Sequence, residues 1–438
     1  MHSLKKIIVE RLQQNRRKIW EWSTEQCKIA PPPFYCSIDL RDSGHKVVPV
    51  DCNLYPAGFN NICPEDIRAS APIFREHIKE LTNRLGRAEP RQILILPESH
   101  THNPYYIENL FHLIQIIQSA GFEVRLGWYG PLPDPASGKP VLLKSQTEKL
   151  LEAHPIEVVG SVLSAGDFVP DLILLNNDFS SGYPNALDAV AQPIVPSYTA
   201  GWHSRKKSDH FVHYNQLAVE FAQILGIDPW LIQVDTEEVE PVDFNEGKGI
   251  EETSQAVERI LARTKKAYET HKINRKPFVF VKNNMGTYGI GIMVVHSADD
   301  LRQMNRRTKN KMSVGKNRLP INSLVVQEGI PTATLVDRLA AEPVVYLLGE
   351  ELIGGFLRTN PARGADVQAT EENLNAPGMV FRKLCMSDLR RPGSESPGEE
   401  PANEKTAEPM LELVYGWIGR ISALAAGREI QASTRKRF

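Results

Sequence analysis

The sequence predicts an α/β protein in two parts: a three-layer α/β domain in the amino-terminal half and a two-lobed α+β region behind it. From about residue 91, apolar strand-like runs alternate with amphipathic helical runs, a pattern typical of a mostly parallel sheet covered by helices. After residue 271 the pattern changes to pairs of apolar runs joined by glycine-containing turns, which indicates antiparallel hairpins. The length of 438 residues corresponds to about three ordinary domains.

The predicted elements follow one another in a simple order. Apolar residues at helical spacing predict a helix through Trp22, which must end before the prolines at 31–33 because no helix continues through them. An irregular segment rich in Gly, Pro and Asn follows, with the composition of binding loops. The predicted domains are an amino-terminal helix and substrate-loop region at 1–90, an α/β domain at 91–245, and an α+β domain at 246–438 that contains a mobile insertion at 390–409.

Charge and composition exclude several classes of protein. Lys and Arg total 51 and Asp and Glu total 53, for a formal net charge of -2, which is unsuited to general nucleic-acid binding. No run approaches the ~18 apolar residues of a membrane helix, and the charged amino terminus lacks a signal-peptide core. The five cysteines contain no Cys-x-x-Cys pair, so we expect reduced thiols in a cytoplasmic protein.

The sharpest local feature is a glycine-rich loop between two apolar β-rich runs, 278–281 and 292–295. Lys282 ends the first run, and glycines in the spacing G-x-x-G-x-G follow it. Glycines let backbone N–H groups converge on phosphate oxygens, and a lysine adds a positive charge. An ordinary glycine hairpin turn is the alternative. The predicted phosphate-binding residues are Lys282, Gly286, Thr287, Tyr288, Gly289 and Gly291.

Two common phosphate loops do not fit this context. A Walker A loop places Gly-Lys-Ser/Thr at the start of a helix, whereas Lys282 precedes its loop. A dinucleotide-binding fingerprint runs from a strand into a helix, whereas this loop joins two predicted strands. A phosphate site at this loop would therefore be of a different kind.

An apolar run that ends in polar residues follows the loop along the chain. It is suited to a strand that reads adenine and presents a carboxylate to the ribose, although a buried strand terminus explains the same pattern. The predicted binding residues are Gln327, Glu328, Gly329 and Ile330.

Two more clusters point to phosphate chemistry. Glu342 begins one predicted strand and Arg358 ends its partner, and the planar fork of an arginine matches a γ-phosphate or an acyl phosphate. The carboxylate and amide oxygens of Glu372, Asn373 and Asn375 are the hard ligands that Mg²⁺ prefers. Each cluster alone also fits an ordinary strand end or surface turn, so their order along the chain carries the inference.

This order resembles the ATP-grasp superfamily. The resemblance implies that ATP lies between two α+β lobes under the glycine loop, so 246–438 is predicted to be an ATP-grasp-like nucleotide-binding domain. Two features depart from the superfamily's pattern. The usual metal motif is Glu-x-Asn, whereas the run 372–375, Glu-Asn-Leu-Asn, leaves open which residues bind the metal. The additional upstream lysine of the superfamily has no unique counterpart among Lys265, Lys266 and Lys272.

A closer resemblance, to the proteobacterial glutamate–cysteine ligase family, covers nearly the whole chain. This family is distinct from the commoner bacterial and eukaryotic enzymes of that activity. The resemblance implies a ligase with ATP and Mg²⁺ as cofactors and with glutamate and cysteine as small-molecule substrates. It rests on blocks in the family's order: SIDLRDSGHKVVPVDCNLYPAGFNN, LPESHTHNPYYIENL, NNDFSSG, GWHSRKKSDHF, VKNNMGTYGIGIMVV, VVQEGIPT, EPVVYLLGEELIGGFLRTN and ENLNAPGM.

Cationic and amide groups in the amino-terminal half are candidates for holding two amino acids. Arg41, Asn60 and Asn61 lie in the irregular segment, and Arg205 and Lys207 lie in the block GWHSRKKSDHF. For Arg205 and Lys207, the alternative is a charged surface that is exposed to solvent.

A polar loop at the end of a predicted strand supports a rival hypothesis. His100 and His102 form a His-x-His pair near Glu98, which is how some zinc hydrolases begin their metal site. Further histidines would have to complete it. A contribution of this loop to the substrate pocket is the favoured interpretation. The histidines available to complete a zinc site are His203, His210 and His213.

The sequence as a whole favours an ATP-dependent carboxylate–amine ligase. It would join the γ-carboxylate of L-glutamate to L-cysteine through an acyl phosphate, the first step of glutathione biosynthesis, with Lys282 and Arg358 as catalytic residues. The alternatives are an ATP-grasp ligase for another amino-acid pair, a nucleotide-binding regulator and the metallohydrolase. No nucleic-acid or membrane partner is expected.

Overall fold

The computed structural model describes residues 4–98, 103–131, 138–180, 182–286, 291–315, 320–361, 378–385 and 409–435. The α-helices in these ranges are α1 (Leu4–Gln14), α2 (Arg16–Ile29), α3 (Pro64–Arg84), α4 (Pro104–Ser119), α5 (Lys207–Leu225), α6 (Ile250–Thr270), α7 (Ala298–Arg302), α8 (Arg306–Ser313) and α9 (Pro409–Arg435). Short 3-10 helices span Phe59–Asn61, Asn185–Ala189, Tyr198–Ala200 and Pro229–Leu231.

The strands are β1 (Tyr35–Asp42), β2 (Val47–Asn53), β3 (Gln92–Pro97), β4 (Glu123–Trp128), β5 (Val141–Lys144), β6 (Leu150–Val159), β7 (Val162–Ala165), β8 (Leu172–Asn176), β9 (Ile194–Val195), β10 (Thr236–Val239), β11 (Val279–Asn283), β12 (Ile292–Val295), β13 (Leu324–Glu328), β14 (Leu335–Val336), β15 (Leu339–Leu348), β16 (Glu351–Thr359) and β17 (Val380–Leu384). They form three sheets.

The first sheet is mostly parallel, as the alternation of strands and helices predicts. Its order is β5-β6-β4-β3-β8-β9, with β7 paired to β6. β3 and β8 have continuous apolar runs, Ile93–Leu96 and Leu172–Leu175, because both of their faces are buried. Residues of α3 and α4 cover one face, and the other is covered by the β6–β7 hairpin, Phe168 and the 3-10 helix at Asn185–Ala189.

The second sheet, β10-β13-β11-β12, is antiparallel. Its β11–β12 hairpin confirms the strand–loop–strand prediction, and Lys282 lies opposite Ile292. Side chains alternate across a strand. Val279 and Val281 are therefore buried in the core against α6, while Phe280 and Lys282 line a cavity. This alternation delivers the lysine to the candidate site.

The third sheet has the order β17-β16-β15-β1-β2, with β14 paired to β15. Alternate residues of β1 and β15, such as Ile38 and Val345, pack against α5 and α9. Their neighbours Asp39 and Val344 line the cavity from the opposite face. The closing helix α9 packs against α5, β2 and β15, so it joins elements from both halves of the chain.

Sheet membership crosses the boundaries predicted at residues 90 and 245. β1 and β2 come from the first segment and join β15, while β10 comes from the second segment and joins β13. Smaller differences are local. The single helix predicted through Trp22 is two helices, α1 and α2, which together extend to Ile29. No helix in the described part of the chain is long and apolar enough to cross a membrane.

The prediction of five reduced thiols is wrong. Cys63 and Cys385 form a disulfide with a Cα–Cα distance of 5.5 Å and a sequence separation of 322. Cys63 directly precedes α3 and Cys385 directly follows β17, and the packing of α3 against β16 brings these ends together. Because that approach is tertiary, the spacing of cysteines along the chain gives no sign of it. The free cysteines are Cys27, Cys36 and Cys52.

Candidate active site

A cavity of about 1290 Å³ lies where the three sheets meet. β1, β15 and β16 form one wall, β11 forms a second, and the loops that follow β3 and β8 form a third. We call the part lined by Arg41, Lys207, Lys282 and Arg358 the basic end. Three of these cations are buried, the side chain of Arg358 is 16% exposed, and each of the four approaches at least one carboxylate.

Lys282 is held at the end of β11 by two acceptors. Its Nζ donates to Gln327 Oε1 at 2.5 Å and to the carbonyl oxygen of Val50 at 3.3 Å. Burial lowers the pKa of Lys282 to about 7; the charge of Asp51 opposes this change, and Lys207 adds to it. A buried ammonium that titrates near neutrality is suited to an anionic ligand, which would restore its charge.

Lys207 begins α5 directly beside this lysine. Its backbone N–H donates to the carbonyl oxygen of Asn284 at 2.9 Å, which ties the start of α5 to the end of β11. Its Nζ donates to Asp51. Although burial raises the pKa of Asp51, the charges of Lys207 and Lys282 hold that pKa below its ordinary value. Two lysines thus share one carboxylate and leave the pair with an excess positive charge.

Arg358 and Arg41 form a second cationic pair across β1, β15 and β16. Glu342 lies directly opposite Arg358 in the β15–β16 ladder, and Arg358 Nη2 lies 2.7 Å from Glu342 and 2.9 Å from Asp39. Arg41 also pairs with Glu342. Burial would lower the pKa of Arg358, but Asp39 and Glu342 raise it above its ordinary value, so Arg358 stays charged.

The glycine loop begins and ends at positions where a side chain has no room. Gly286 lines the cavity, and a Cβ there would collide with the side chain of Asn283. Gly291 has a φ of +69°, and a Cβ there would lie 2.7 Å from Ile321 Cδ1. Glycine is required at both positions. The predicted loop residues Thr287, Tyr288 and Gly289 lie outside the described residues.

The four residues of the predicted adenine-reading strand are buried beside the site, and none of them belongs to the described lining of the cavity. Gln327 is buried, and its Nε2 has no hydrogen-bond partner among the described residues. Glu328 is buried in a pair with Lys46, whose Nζ lies 2.7 and 2.8 Å from its two oxygens. Gly329 N–H donates to the carbonyl oxygen of Phe278, and Ile330 accepts from Arg41. Only Gln327 therefore offers an uncommitted side-chain donor.

The predicted substrate residues separate into two groups. Arg41, Asn60, Asn61 and Lys207 line the cavity. Arg205 instead donates to Glu429 at 2.6 and 2.9 Å and to the carbonyl oxygen of Cys52, behind the cavity wall.

Several residues of the cavity escaped the sequence reasoning. Asp51 carries no local signal, because a single carboxylate in a strand is unremarkable by pattern. Asp178 lies two residues after β8, and a carboxylate near the end of a parallel strand is a signal for a site residue. Glu98, in the polar loop that the sequence analysis favours as part of the substrate pocket, also lines the cavity. The lining residues that the sequence analysis missed are Asp39, Asp51, Asn109, Asn176 and Asp178.

The sequence predicts two sets of metal ligands, one for Mg²⁺ and one for a rival zinc site. The predicted ligands Glu372, Asn373 and Asn375, and the rival His100 and His102, lie outside the described residues. Within the described ranges, the group of side chains arranged for a metal is Cys63, Asp66 and Cys385, and the disulfide occupies both sulfurs.

The other predicted ligands and lysines lie away from the cavity. His203 contacts the ring of Tyr183, and His210 contacts Glu429 and Ser422. His213, Lys265, Lys266 and Lys272 are absent from the described lining of the cavity.

Family membership makes this protein an enzyme of the ligase class that forms carbon–nitrogen bonds with ATP. The chain belongs to the glutamate-cysteine ligase family, since the model of the GshA glutamate-cysteine ligase family matches residues 9–430. Comparison with curated proteins gives no match.

Solved structures agree with this membership. A crystal structure of a protein from Methylobacillus flagellatus KT that carries the name gamma-glutamylcysteine synthetase is 34% identical in sequence, with a TM-score of 0.84; the match covers 98% of this chain and 97% of that chain.

Two remoter structures are similar only in part. A glutathione synthetase-like effector from Globodera pallida is 10% identical over 81% of this chain and 82% of its own, with a TM-score of 0.35. D-alanyl-alanine synthetase A from Vibrio cholerae is 11% identical over 76% and 80%, with a TM-score of 0.34. Likenesses of this size do not define a shared fold.

Proposed function

We propose that the protein forms γ-glutamylcysteine from L-glutamate and L-cysteine with consumption of ATP, the first step of glutathione biosynthesis, in the cytoplasm. The observation that carries the proposal is the basic end of the cavity, where four cations meet: the buried Arg41, Lys207 and Lys282, and the half-buried Arg358. Preorganised cations in a water-poor site stabilise phosphoryl groups in transfer. The cavity of about 1290 Å³ also exceeds the roughly 300–1,000 Å³ of ordinary small-ligand pockets, which suits several substrates at once.

The chemistry divides into two steps because a carboxylate is a poor electrophile. In the first step, a γ-carboxylate oxygen of glutamate attacks the γ-phosphorus of ATP and ADP departs, which leaves an acyl phosphate. In the second step, the amine nitrogen of cysteine attacks the acyl carbon, inorganic phosphate departs and the nitrogen loses a proton. Both steps place negative charge on phosphoryl oxygens, so positioning and charge neutralisation supply most of the acceleration.

Lys282 and Lys207 are the proposed phosphate-binding lysines. The orphan donor Nε2 of Gln327 lies on the side chain that already holds Lys282, so a bound anion would satisfy both groups. Lys207 takes the place of the additional lysine that the superfamily resemblance implies, because it shares Asp51 with Lys282. The backbone between Gly286 and Gly291, including Thr287, Tyr288 and Gly289, is proposed to cover the phosphates.

Arg358 is the proposed catalytic arginine, and Arg41 supports it. The contacts of Arg358 with Asp39 and Glu342 fix its guanidinium plane, and a fixed fork of donors matches phosphoryl oxygens well. We also propose that Gln327 contacts the nucleotide. Its neighbours Glu328, Gly329 and Ile330 position the end of β13 through their own hydrogen bonds.

Mg²⁺ is proposed to bind through Glu372, Asn373 and Asn375. The described carboxylates at the basic end, Asp39, Asp51 and Glu342, are already paired with cations, which favours a ligand set from elsewhere in the chain. When bound with ATP, the ion supplies further neutralisation of the phosphate oxygens.

Amino-acid contacts are proposed for Arg41, Asn60, Asn61 and Lys207. Arg205 is a proposed positioning residue, because it donates to the carbonyl oxygen of Cys52, the residue next to Asp51, and so supports the cavity wall from behind.

A phosphate-release assay tests the proposed function. Purified protein with ATP and Mg²⁺ should release phosphate rapidly only when glutamate and cysteine are both present, and the product should have the mass of γ-glutamylcysteine. Lys282→Ala should lower the rate about 10³-fold, whereas Lys265→Ala, an exposed α6 position outside the cavity lining, should leave it unchanged.

Other results would redirect or reject the proposal. Phosphate release with a different amino-acid pair, and a product of the corresponding mass, would identify another ligase of the same mechanism. If glutamate plus cysteine releases no more phosphate than ATP alone, the specific substrates are wrong. An ATP-independent hydrolytic activity lost in His100→Ala would support the metallohydrolase instead.

A further inference from the structure

Trp202 lines the cavity and contacts two cations of the run 205–207. The centroid of its ring lies 4.8 Å from Cζ of Arg205 and 4.3 Å from Nζ of Lys207. The attraction between a cation and an aromatic face is strongest for tryptophan, and it increases when the pair is removed from water. Trp202 is 4% exposed and Lys207 is 6% exposed, so solvent weakens this contact little.

The three cations of the run differ in how carboxylates balance their charge. Arg205 donates two hydrogen bonds to one carboxylate, and Lys206 donates to two carboxylates. Lys207 pairs with Asp51, whose charge also acts on Lys282. The partners of the first two cations are Glu429 for Arg205, and Glu238 and Glu240 for Lys206. The tryptophan ring therefore contacts a lysine that shares its carboxylate with a second lysine.

Asn284 fixes the backbone from which the side chain of Lys207 extends. Its carbonyl oxygen accepts from the N–H of Lys207 at 2.9 Å, and its Oδ1 accepts from the N–H of Ser208 at 2.9 Å. Asn284 is buried and lies two residues after Lys282, so the fold sets the separation of the two lysine backbones. The flexible four-carbon stem of Lys207 still rotates, and the contacts of its ammonium group determine where that group lies.

Trp202 is itself held in place by the chain around it. Its backbone N–H donates to the carbonyl oxygen of Asp178 at 2.9 Å. A Cβ at the preceding Gly201 would lie 2.9 Å from that same oxygen and 2.9 Å from Phe179 Cβ, so only glycine allows this close approach. Arg205, which is anchored behind the cavity wall, packs over the ring. The ring is therefore a fixed surface for the lysine side chain.

We propose that Trp202 is a positioning residue for phosphate binding: its ring, together with Asp51, holds the ammonium group of Lys207 at the basic end. This inference rests on the proposed function, in which Lys207 binds phosphate. A second carboxylate in place of the ring would neutralise the excess positive charge of the two lysines and repel phosphate. The face of an aromatic ring attracts the ammonium group through its quadrupole without adding a net negative charge.

A double-mutant cycle with Lys207 tests the proposal. Calorimetry measures the Kd of a non-hydrolysable ATP analogue in the presence of Mg²⁺. Trp202→Leu removes the aromatic face but keeps an apolar side chain, and it should raise this Kd about 10-fold. In the Lys207→Met protein, the same substitution should change the Kd less than about twofold, because no ammonium group remains for the ring to hold. A purely structural role of Trp202 in the cavity wall would weaken binding equally in both proteins.

Trp202→Phe tests whether the aromatic face itself is required. Phenylalanine attracts a cation less strongly than tryptophan, so this variant should raise the Kd only about threefold, and again only when Lys207 is present. A thermal melt of each variant checks folding. If Trp202→Leu does not fold, the cycle with Trp202→Phe measures the same dependence on Lys207.

Trp230 provides a matched control outside the cavity. Nζ of Lys46 lies 4.3 Å from the centroid of its ring, which is the distance found between Lys207 and Trp202. Neither Trp230 nor Lys46 belongs to the described lining of the cavity, and Lys46 keeps its contacts with both oxygens of Glu328. Trp230→Leu should therefore change the Kd of the ATP analogue less than about twofold.

Two results would overturn the inference. One is a loss of affinity from the Trp202 variants that is equally large with and without Lys207. The other is a wild-type Kd in both Trp202 variants or in Lys207→Met, and the latter would also remove Lys207 from the proposed phosphate site.

Failure of the proposed function has a different signature. A protein that shows the coupling between Trp202 and Lys207 but makes another product would contradict the proposed substrates and retain this inference. A protein that makes γ-glutamylcysteine without this coupling would do the reverse.

Discussion

The basic end of the cavity and the loops that follow β3 and β8 hold their polar groups by different means. At the basic end, Lys282 and Lys207 share a carboxylate, and burial depresses the pKa of Lys282 to about 7. In the loops that follow β3 and β8, the N–H of Glu98 donates to Tyr106, and neighbouring amide side chains hydrogen-bond one another. The first arrangement is costly until an anion binds, whereas the second is already satisfied. We therefore expect phosphate binding to complete the basic end, while these loops keep their hydrogen bonds with or without a ligand.

The largest expected effect is a difference in stability between variants of two neighbouring cations, Arg205 and Lys207. Arg205→Met should lower the free energy of unfolding by about 3–5 kcal/mol, because the buried Glu429 loses its arginine partner and keeps only the weaker contact with His210 among the described residues. Lys207→Met should cost far less stability, since Lys282 remains near Asp51, but it should weaken ATP binding. Urea unfolding and nucleotide titration of both variants measure this contrast. Equal effects of both substitutions on ATP binding would place Arg205 in the site itself.

The next effect concerns the geometry of Arg358. Arg358→Lys keeps the positive charge but loses the planar fork that contacts Asp39 and Glu342, so kcat should fall about 10²-fold. The KM for ATP should change little, because the lysines bind the ground-state phosphates. Steady-state kinetics with both amino acids measure the two constants. A raised KM with an unchanged kcat would show that Arg358 serves binding and not the transfer step.

The smallest expected effect is the uptake of a proton by Lys282 when ATP binds. The pKa of Lys282 is lowered from 10.5 to about 7 in the free protein, so at pH 8.5 this lysine is mostly neutral. Bound phosphates favour its charged form, so ATP binding should take up as much as about one proton at pH 8.5 and much less at pH 6. The affinity for ATP should accordingly fall as pH rises above 7.

Calorimetry in buffers of different ionisation enthalpy measures this uptake. Lys282→Met should abolish it, while Lys265→Met should not. Uptake that persists without Lys282 would assign the proton to another group of the basic end.

Local patterns made part of this site predictable from the sequence. The β11–β12 hairpin follows from two apolar runs around glycines, and the pairing of Glu342 with Arg358 follows from two strands that abut at a tight turn. Both features depend on residues close together in the chain, where alternation and turn chemistry decide the structure.

Non-local packing explains what the sequence did not reveal. The pairing of β1 with β15 and the disulfide of Cys63 with Cys385 join segments about 300 residues apart. The run at 205–207 shows the same limit for charge. Arg205 and Lys207 look alike in sequence, yet one meets Glu429 behind the wall and the other meets Asp51 in the cavity. Nothing near either residue encodes which carboxylate it will meet.

Transfer of an oxygen atom tests the central claim most directly. Glutamate labelled with oxygen-18 in its γ-carboxylate is incubated with ATP, Mg²⁺, cysteine and the protein, and the released phosphate is analysed by mass spectrometry. If the basic end phosphorylates this carboxylate, each turnover places one labelled oxygen in the phosphate, since the acyl carbon–oxygen bond breaks when cysteine attacks. Unlabelled phosphate released together with γ-glutamylcysteine would contradict the acyl-phosphate mechanism and the role assigned to the basic end.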